Sequence, residues 1–313
     1  MMKNYAIFFG LLALVVFSCT EKQVDRPSTL IVTGISEAKG SEIICVDIDS
    51  GAVVNTTPID CYVFGSTVYD PTTKGYGFVD CDTTFKLVNP ESGKLIKSIK
   101  LPGFVSQAVI DANDNMLIGR YSTMIYGDEP DTIDTKSAKT GPPIYTNYVI
   151  RVNLSTGAIV SNNKIDVGDG TYATTYYYDE KAKHYILYRA DNYLITIEPA
   201  TGKIIKERHV GKILTNSVYN PVNNTLISLI ISVGDNVRTY LTVINTETGA
   251  EISSVLIESA GYYGNIAGYD KENNWYITVN SKFEVVCFDV STGEIKKSYQ
   301  LENPMKDIKF WRR

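Results

Sequence analysis

Imidazole, the side chain most used for proton transfer and zinc binding, occurs only twice in these 313 residues, at His184 and His209. Neither has a cysteine or a second histidine at ligand spacing, so a zinc or haem site built on histidine is not expected. Asp111-Ala112-Asn113-Asp114-Asn115 has the alternation of a calcium loop, but it stands where a repeating pattern elsewhere places Asp179-Glu180-Lys181, and it is read as a turn. No Gly-rich phosphate loop, nucleophile elbow or sialidase-type Asp box is present. No catalytic residue, metal or cofactor is therefore assigned. Carboxylates such as Asp80, Asp82, Asp169 and Asp191 are the remaining material for catalysis, as a pair defined by separation in space. Tyrosine is the abundant functional side chain, with 22 copies beside 10 Phe and 2 Trp. Its ring can stack on a ligand while its hydroxyl bonds the ligand's edge. A net charge of −5, from 30 basic and 35 acidic residues, argues against nucleic acid as a partner.

These side chains are carried by a repeat. A five-residue pattern recurs at Asp47–Gly51, Asn89–Gly93, Asn153–Gly157, Glu198–Gly202, Asn245–Gly249 and Asp289–Gly293, with Ser or Thr before each glycine. An acceptor oxygen at the first position and a glycine able to take positive φ at the last describe a tight hairpin. Apolar residues stand five and eight positions before every glycine, and no long segment has helical periodicity, so the chain is expected to be all-β. The glycines fall 42, 64, 45, 47 and 44 residues apart, a period near that of one four-stranded propeller blade. A second landmark keeps phase with the first: Val68-Tyr69-Asp70, Val109-Ile110-Asp111, Tyr177-Tyr178-Asp179, Val218-Tyr219-Asn220 and Gly268-Tyr269-Asp270 each end an innermost strand. The first hairpin lacks such a strand before it, and the last is followed by a spare one around Lys306–Phe310. The reading is a single β-propeller of six four-stranded blades, over residues 29–313, closed by the C-terminal strand in the N-terminal blade; seven blades is the alternative.

The wide interval holds an insertion at about 121–147, a length that is either functional or without ordered structure in a compact repeat. It falls on the face that carries the blade-to-blade connections and the turns between second and third strands, around the channel mouth. Aromatics gather on the same face: Tyr62, Phe64, Phe104, Tyr121, Tyr126, Tyr172, Tyr176, Tyr262 and Tyr263. Aligned second strands put Asp80, Arg120, Arg189 and Asn280 at one rim position, where two arginines in adjacent blades would suit an anion unless neighbours such as Asp191 neutralise them. These thirteen residues and Asp191 are the candidate ligand-binding set. Cys61 and Cys81 share the mouth side of one blade and are a candidate disulfide, whereas Cys45 and Cys287 lie in equivalent strands too far apart to bond and are read as buried thiols.

The first residues are read as an address. Lys3, an apolar run from Tyr5 to Phe17, and Ser18-Cys19 form a signal too short to span a bilayer, which takes about 20 residues. Val16-Phe17-Ser18-Cys19 resembles a bacterial lipobox, with Phe17 where a small residue is usual. The resemblance implies removal of residues 1–18, lipidation of Cys19, and a polar tether over 19–28. Thr20 after that cysteine resembles sorting to the outer membrane, at the cell surface or, alternatively, on its periplasmic face.

The repeats resemble the YVTN/quinoprotein-like β-propeller superfamily, and the whole resembles lipid-anchored propellers of the Gram-negative cell surface. That resemblance covers about residues 28–313 and implies a monomer, attached to the membrane through lipid alone, that captures a small molecule or glycan beside a TonB-dependent outer-membrane transporter. Such folds host many functions. The alternatives are a propeller enzyme using mouth carboxylates, of the glycan hydrolase, lyase or glutaminyl-cyclase-like kind, and a protein-interaction scaffold of the envelope.

Overall fold

A computed structural model describes residues 29–37, 41–126, 143–167, 175–189, 191–232, 237–257 and 261–313. Its strands form six four-stranded antiparallel sheets. Blade 1 contains β1 (Leu30–Ser36), β2 (Glu42–Asp47) and β3 (Ala52–Pro58), and blade 2 contains β4 (Val68–Asp70), β5 (Gly75–Val79), β6 (Thr84–Val88) and β7 (Leu95–Lys100). Blade 3 is β8 (Ser106–Asp111), β9 (Met116–Tyr126), β10 (Pro143–Asn153) and β11 (Ile159–Ile165). Blade 4 is β12 (Tyr176–Asp179), β13 (His184–Arg189), β14 (Tyr193–Glu198) and β15 (Lys203–His209). Blade 5 is β16 (Thr215–Asn220), β17 (Thr225–Ser232), β18 (Arg238–Asn245) and β19 (Glu251–Ile257). Blade 6 is β20 (Tyr262–Asp270), β21 (Trp275–Asn280), β22 (Glu284–Asp289) and β23 (Ile295–Gln300). The last strand, β24 (Lys306–Arg312), pairs with β1 and becomes the innermost strand of blade 1. The six-blade expectation and the closure by the C-terminal strand both hold.

The recurring hairpin explains itself locally. In all six copies the glycine N–H donates to the backbone carbonyl of the first residue at 2.8 Å, and the glycine φ lies between 70° and 76°. In five copies the side-chain oxygen of that first residue also accepts two backbone N–H groups, as Asp47 does from Asp49 at 2.9 Å and from Ser50 at 3.1 Å. Glu198, whose side chain is longer, instead accepts from the Thr201 hydroxyl at 2.5 Å. Each turn carries a β-bulge, so glycine's left-handed backbone and the strand's extra twist arise together.

The cores lie between blades, where apolar second and third strands face one another. Phe85, Leu87, Leu101, Val105, Leu117 and Ile150, for example, join blades 2 and 3. Outer strands are largely exposed, as in β15, where only Ile204 and Arg208 are half-buried.

Blades also alternate in pairs, a period absent from the sequence reading. Gln107, Asn216 and Asp307, in the inner strands of blades 3, 5 and 1, have φ of 53°, 47° and 51° and sit in bulges. The carbonyl of each leaves its own ladder and accepts a phenol from the second strand of the next blade. Tyr185 donates to Gln107 at 2.7 Å, Tyr276 to Asn216 at 2.5 Å, and Tyr76 to Asp307 at 2.7 Å. All three phenols are fully enclosed, and burial pushes their pKa well above the ordinary tyrosine value. The propeller is thus three two-blade units, blades 1–2, 3–4 and 5–6, each held together internally by one tyrosine.

Candidate ligand-binding site

The mouth is organised by the first interblade connection. Cys61, after β3, is bonded to Cys81, after β5, with their Cα atoms 5.7 Å apart. This ties the Tyr62–Phe64 segment to blade 2. Cys45 and Cys287 are free and buried, and burial raises their thiols to about 11 and about 12. Tyr62 packs beside Ile35, Ile43, Tyr76 and Phe78, while Phe64 stands 61% exposed. Burial, and then the Asp307 charge, push the Tyr62 phenol upward.

The candidate residues divide by what holds them. Asp80 and Asn280 cap the turns after β5 and β21. Asp80 Oδ1 accepts from Thr84 N at 2.9 Å, and its other oxygen meets Lys86 Nζ at 2.7 Å. Asn280 Oδ1 accepts from Lys282 N and Glu284 N at 3.0 Å each. Their shared place in the repeat is therefore accounted for by turn chemistry. Arg189 is paired with Asp191 at 2.7 Å and Glu207 at 3.3 Å, and its guanidinium carbon lies 5.1 Å from the Tyr193 ring centre. The hydrogen bond to Arg189 holds the Asp191 carboxyl below the usual range. Arg120 instead donates to Asn147 Oδ1 at 2.6 Å from Nη2, and burial depresses its pKa. The two arginines occupy equivalent positions in different electrostatic settings.

Tyr121 is structural: it is buried, stacks on Tyr148 at 5.1 Å and donates to Asn162 at 2.9 Å. Tyr262 packs edge-on to Phe288 at 6.2 Å. The insertion begins as strand, because β9 and β10 continue pairing as far as Tyr126 opposite Pro143. Residues 127–142, Tyr172 and Cys19 lie outside the described residues, as do the side chains of Tyr126 and Tyr263.

Two features missing from the candidate set complete the site. On the rim, Phe64 has company from Phe104, 53% exposed after β7, and Ile213, 69% exposed after β15. Leu101-Pro102-Gly103-Phe104 and Val210-Gly211-Lys212-Ile213 align directly, so Ile213 was findable from its partner. Along the channel, the inner strands of all six blades line an open cavity of about 310 Å³, with Tyr69, Tyr176, Tyr178 and Tyr219 and one charged side chain, Lys309, among its lining residues. Among the described residues no three His, Cys, Asp or Glu side chains converge as a metal site.

Asp307 borders this region and supplies a direct test of its electrostatics. Its Oδ2 accepts the Gly65 N–H at 3.0 Å, yet burial raises its pKa above the ordinary aspartate value. A carboxyl with a raised folded pKa binds a proton on folding, so stability falls as pH rises from the unfolded value near 3.9 through the folded one. Asn216 occupies the equivalent left-handed position, so Asp307→Asn should fold and retain the acceptor for Gly65. The variant is expected to melt above wild type at pH 8, with the gain vanishing below about pH 4. An unchanged or lower melting temperature at pH 8 contradicts this account.

Fold and cavity together define a six-bladed β-propeller with an apolar rim and a tyrosine-lined channel. The sequence matches no family model and no curated protein. In three dimensions the chain is similar to a crystallised protein of unknown function from Bacteroides caccae, with TM-score 0.60 and 14% identity over 88% of this chain and 94% of that one. It is also similar to TolB from Acinetobacter baumannii, with TM-score 0.60 and 11% identity over 90% of this chain and 66% of TolB. Hydrazine synthase of Kuenenia stuttgartiensis matches with TM-score 0.52 and 13% identity, over 80% of this chain and 71% of that one. At these identities the likeness is one of fold.

Proposed function

We propose that this chain is a lipid-anchored propeller of the YVTN/quinoprotein-like kind that binds a small molecule or glycan at the Gram-negative cell surface and passes it to an outer-membrane transporter of the TonB-dependent class. The observation that carries the binding function is the set of exposed apolar side chains Phe64, Phe104 and Ile213 on separate connections around one channel. Solvated apolar groups gathered on a rim favour a partner that removes them from water. Of the mouth carboxylates, Asp80 and Asp191 favour binding over hydrolysis, since Asp80 caps a turn beside Lys86 and Asp191 is paired with Arg189, while Asp169 lies outside the described residues. The position of β1 supports a mouth turned away from the membrane. Leu30 accepts from Ile48 N at 3.1 Å, beside the first Ser-Gly turn, so β1 begins on the face opposite the mouth, where a tether ending at Ser28 would join.

Purified protein spanning residues 19–313 is expected to bind a member of a panel of glycans, corrinoids and iron chelates in calorimetry. Phe64→Ala with Phe104→Ala should weaken that binding about tenfold or more, equivalent to about 1.4 kcal/mol. Absence of binding across the panel, or equal affinity of the double variant, removes the support for this function.

A further inference from the structure

Register places Lys309 in a ring with Val109 and Val218. These residues lie opposite Thr33, Ile118 and Ile227 in the second strands of blades 1, 3 and 5. An ammonium therefore stands in the channel wall where the two equivalent blades place valine. Lys309 is half-buried and has no hydrogen-bond or ion-pair partner among the described residues. Toward the mouth, blade 4 places Tyr176 where blades 2 and 6 have Thr67 and Ala267. Tyr176 lines the same cavity, and its ring also packs on the core between blades 3 and 4 beside Met116 and Leu187. Its hydroxyl likewise has no hydrogen-bond partner among the described residues. Blades 1 and 4 are opposite in a six-bladed ring, so a cation and a phenol donor face one cavity from its two sides.

The cavity wall contains no Asp or Glu. The neighbouring Asp307 is engaged with the Gly65 N–H, and its carbonyl with Tyr76. The remaining lining is of Tyr, Val, Ala, Ile and Ser residues, with more polar than apolar surface. Tyr69, Tyr178 and Tyr219 reach it from blade interfaces, where Tyr69 stacks on Trp311, Tyr178 donates to Asp111 and Tyr219 stacks on Tyr177. A volume of about 310 Å³ suits a small molecule rather than a polymer.

We propose that the channel cavity binds a small carboxylate with an apolar body, its carboxylate paired with Lys309 and hydrogen-bonded by Tyr176, and its body against the tyrosine rings. This rests on the chain being a binding propeller and adds both a place and a ligand class. A half-buried ion pair with a planar donor beside it gives orientation, while ring contact gives affinity.

Benzoate, benzyl alcohol and benzylammonium are probes of one shape and three charges. Titrations followed by tyrosine fluorescence should show benzoate binding to wild type, with the neutral and cationic probes at least tenfold weaker. Lys309→Val copies the equivalent residues and should fold. It is expected to lose benzoate affinity tenfold or more while leaving benzyl alcohol unchanged, and Tyr176→Phe should lower benzoate affinity about threefold. No benzoate binding by wild type, equal affinity in Lys309→Val, or preference for benzylammonium overturns the proposal. Panel binding that is lost in Phe64→Ala with Phe104→Ala, together with no benzoate binding by wild type, would overturn this proposal while leaving the rim function standing, so the two failures are distinguishable.

Discussion

Removing the hydroxyls of Tyr76, Tyr185 and Tyr276 together is expected to lower stability by about 3–9 kcal/mol, enough to unfold the chain or leave it marginal. Each phenol is fully buried and donates to a carbonyl that its own sheet does not use. The carbonyl is displaced because Asp307, Gln107 or Asn216 adopts a left-handed backbone within a bulge. Phenylalanine fills the same space, so little packing changes. What remains is an enclosed carbonyl without its phenol donor, with only the long Thr67 hydroxyl contact at 3.4 Å left to Asp307, costing about 1–3 kcal/mol at each site. The three sites join different blade pairs and should be close to additive. Urea unfolding of the single, double and triple Tyr→Phe variants measures this directly. Losses under about 0.5 kcal/mol for each single variant, within the range of ordinary surface substitutions, would remove these bonds from the account of how blades are joined.

That alternation shows what the sequence exposed and what it concealed. The Asx-x-x-Ser/Thr-Gly hairpins were legible because one backbone bond and one side-chain acceptor demand the same residue types six times. Blade number and closure followed from their spacing. The left-handed inner-strand residues were hidden, since the turn reading looked for glycine and the three positions hold Gln, Asn and Asp. Tyr76, Tyr185 and Tyr276 recur in alternate blades, a signal visible only when the repeat is read at twice its period. At the candidate site, alignment placed Arg120 and Arg189 on the rim correctly in the chain but said nothing of their partners. Asn147 comes to Arg120 from the far arm of the extended hairpin, and Glu207 comes to Arg189 from the outer strand. Lys309 lies in a strand and outside the connections that carry the candidate set, yet it is the charged member of a column otherwise Val, Val, Tyr, Val and Gly at Val68, Val109, Tyr177, Val218 and Gly268.

Trp311→Ala is expected to cost about 3–5 kcal/mol, as for a buried aromatic truncated in a core, and to act at the one place where the ring is joined without covalent continuity. The indole is 5% exposed, stacks on Tyr69 at 5.4 Å and donates to Thr33 Oγ1 at 3.0 Å. It therefore links blade 2, β24 and β1 at once. Loss of β24 would also expose the inner edge of β1, an unpaired strand edge able to recruit other chains. Next to it, Arg312 donates to both oxygens of Asp270 in blade 6, whose side chain is 1% exposed. Burial pushes the Asp270 carboxyl upward, but hydrogen bonds from Arg312 and Asn273 and the Arg312 charge outweigh it, leaving the folded pKa below the ordinary value. A depressed carboxyl stabilises the fold above the unfolded pKa near 3.9, and that contribution is lost as pH falls through the folded value. Arg312→Ala, which strands the Asp270 charge, should cost about 3 kcal/mol at pH 7, with a deficit that shrinks toward pH 3. The Trp311→Ala deficit, which involves no titrating group, should persist across that range. Melting curves from pH 3 to pH 8 separate the two: parallel profiles for both variants would mean that Asp270 does not clasp the closing strand electrostatically, and a wild-type melting temperature for Trp311→Ala would mean that the ring does not depend on this joint.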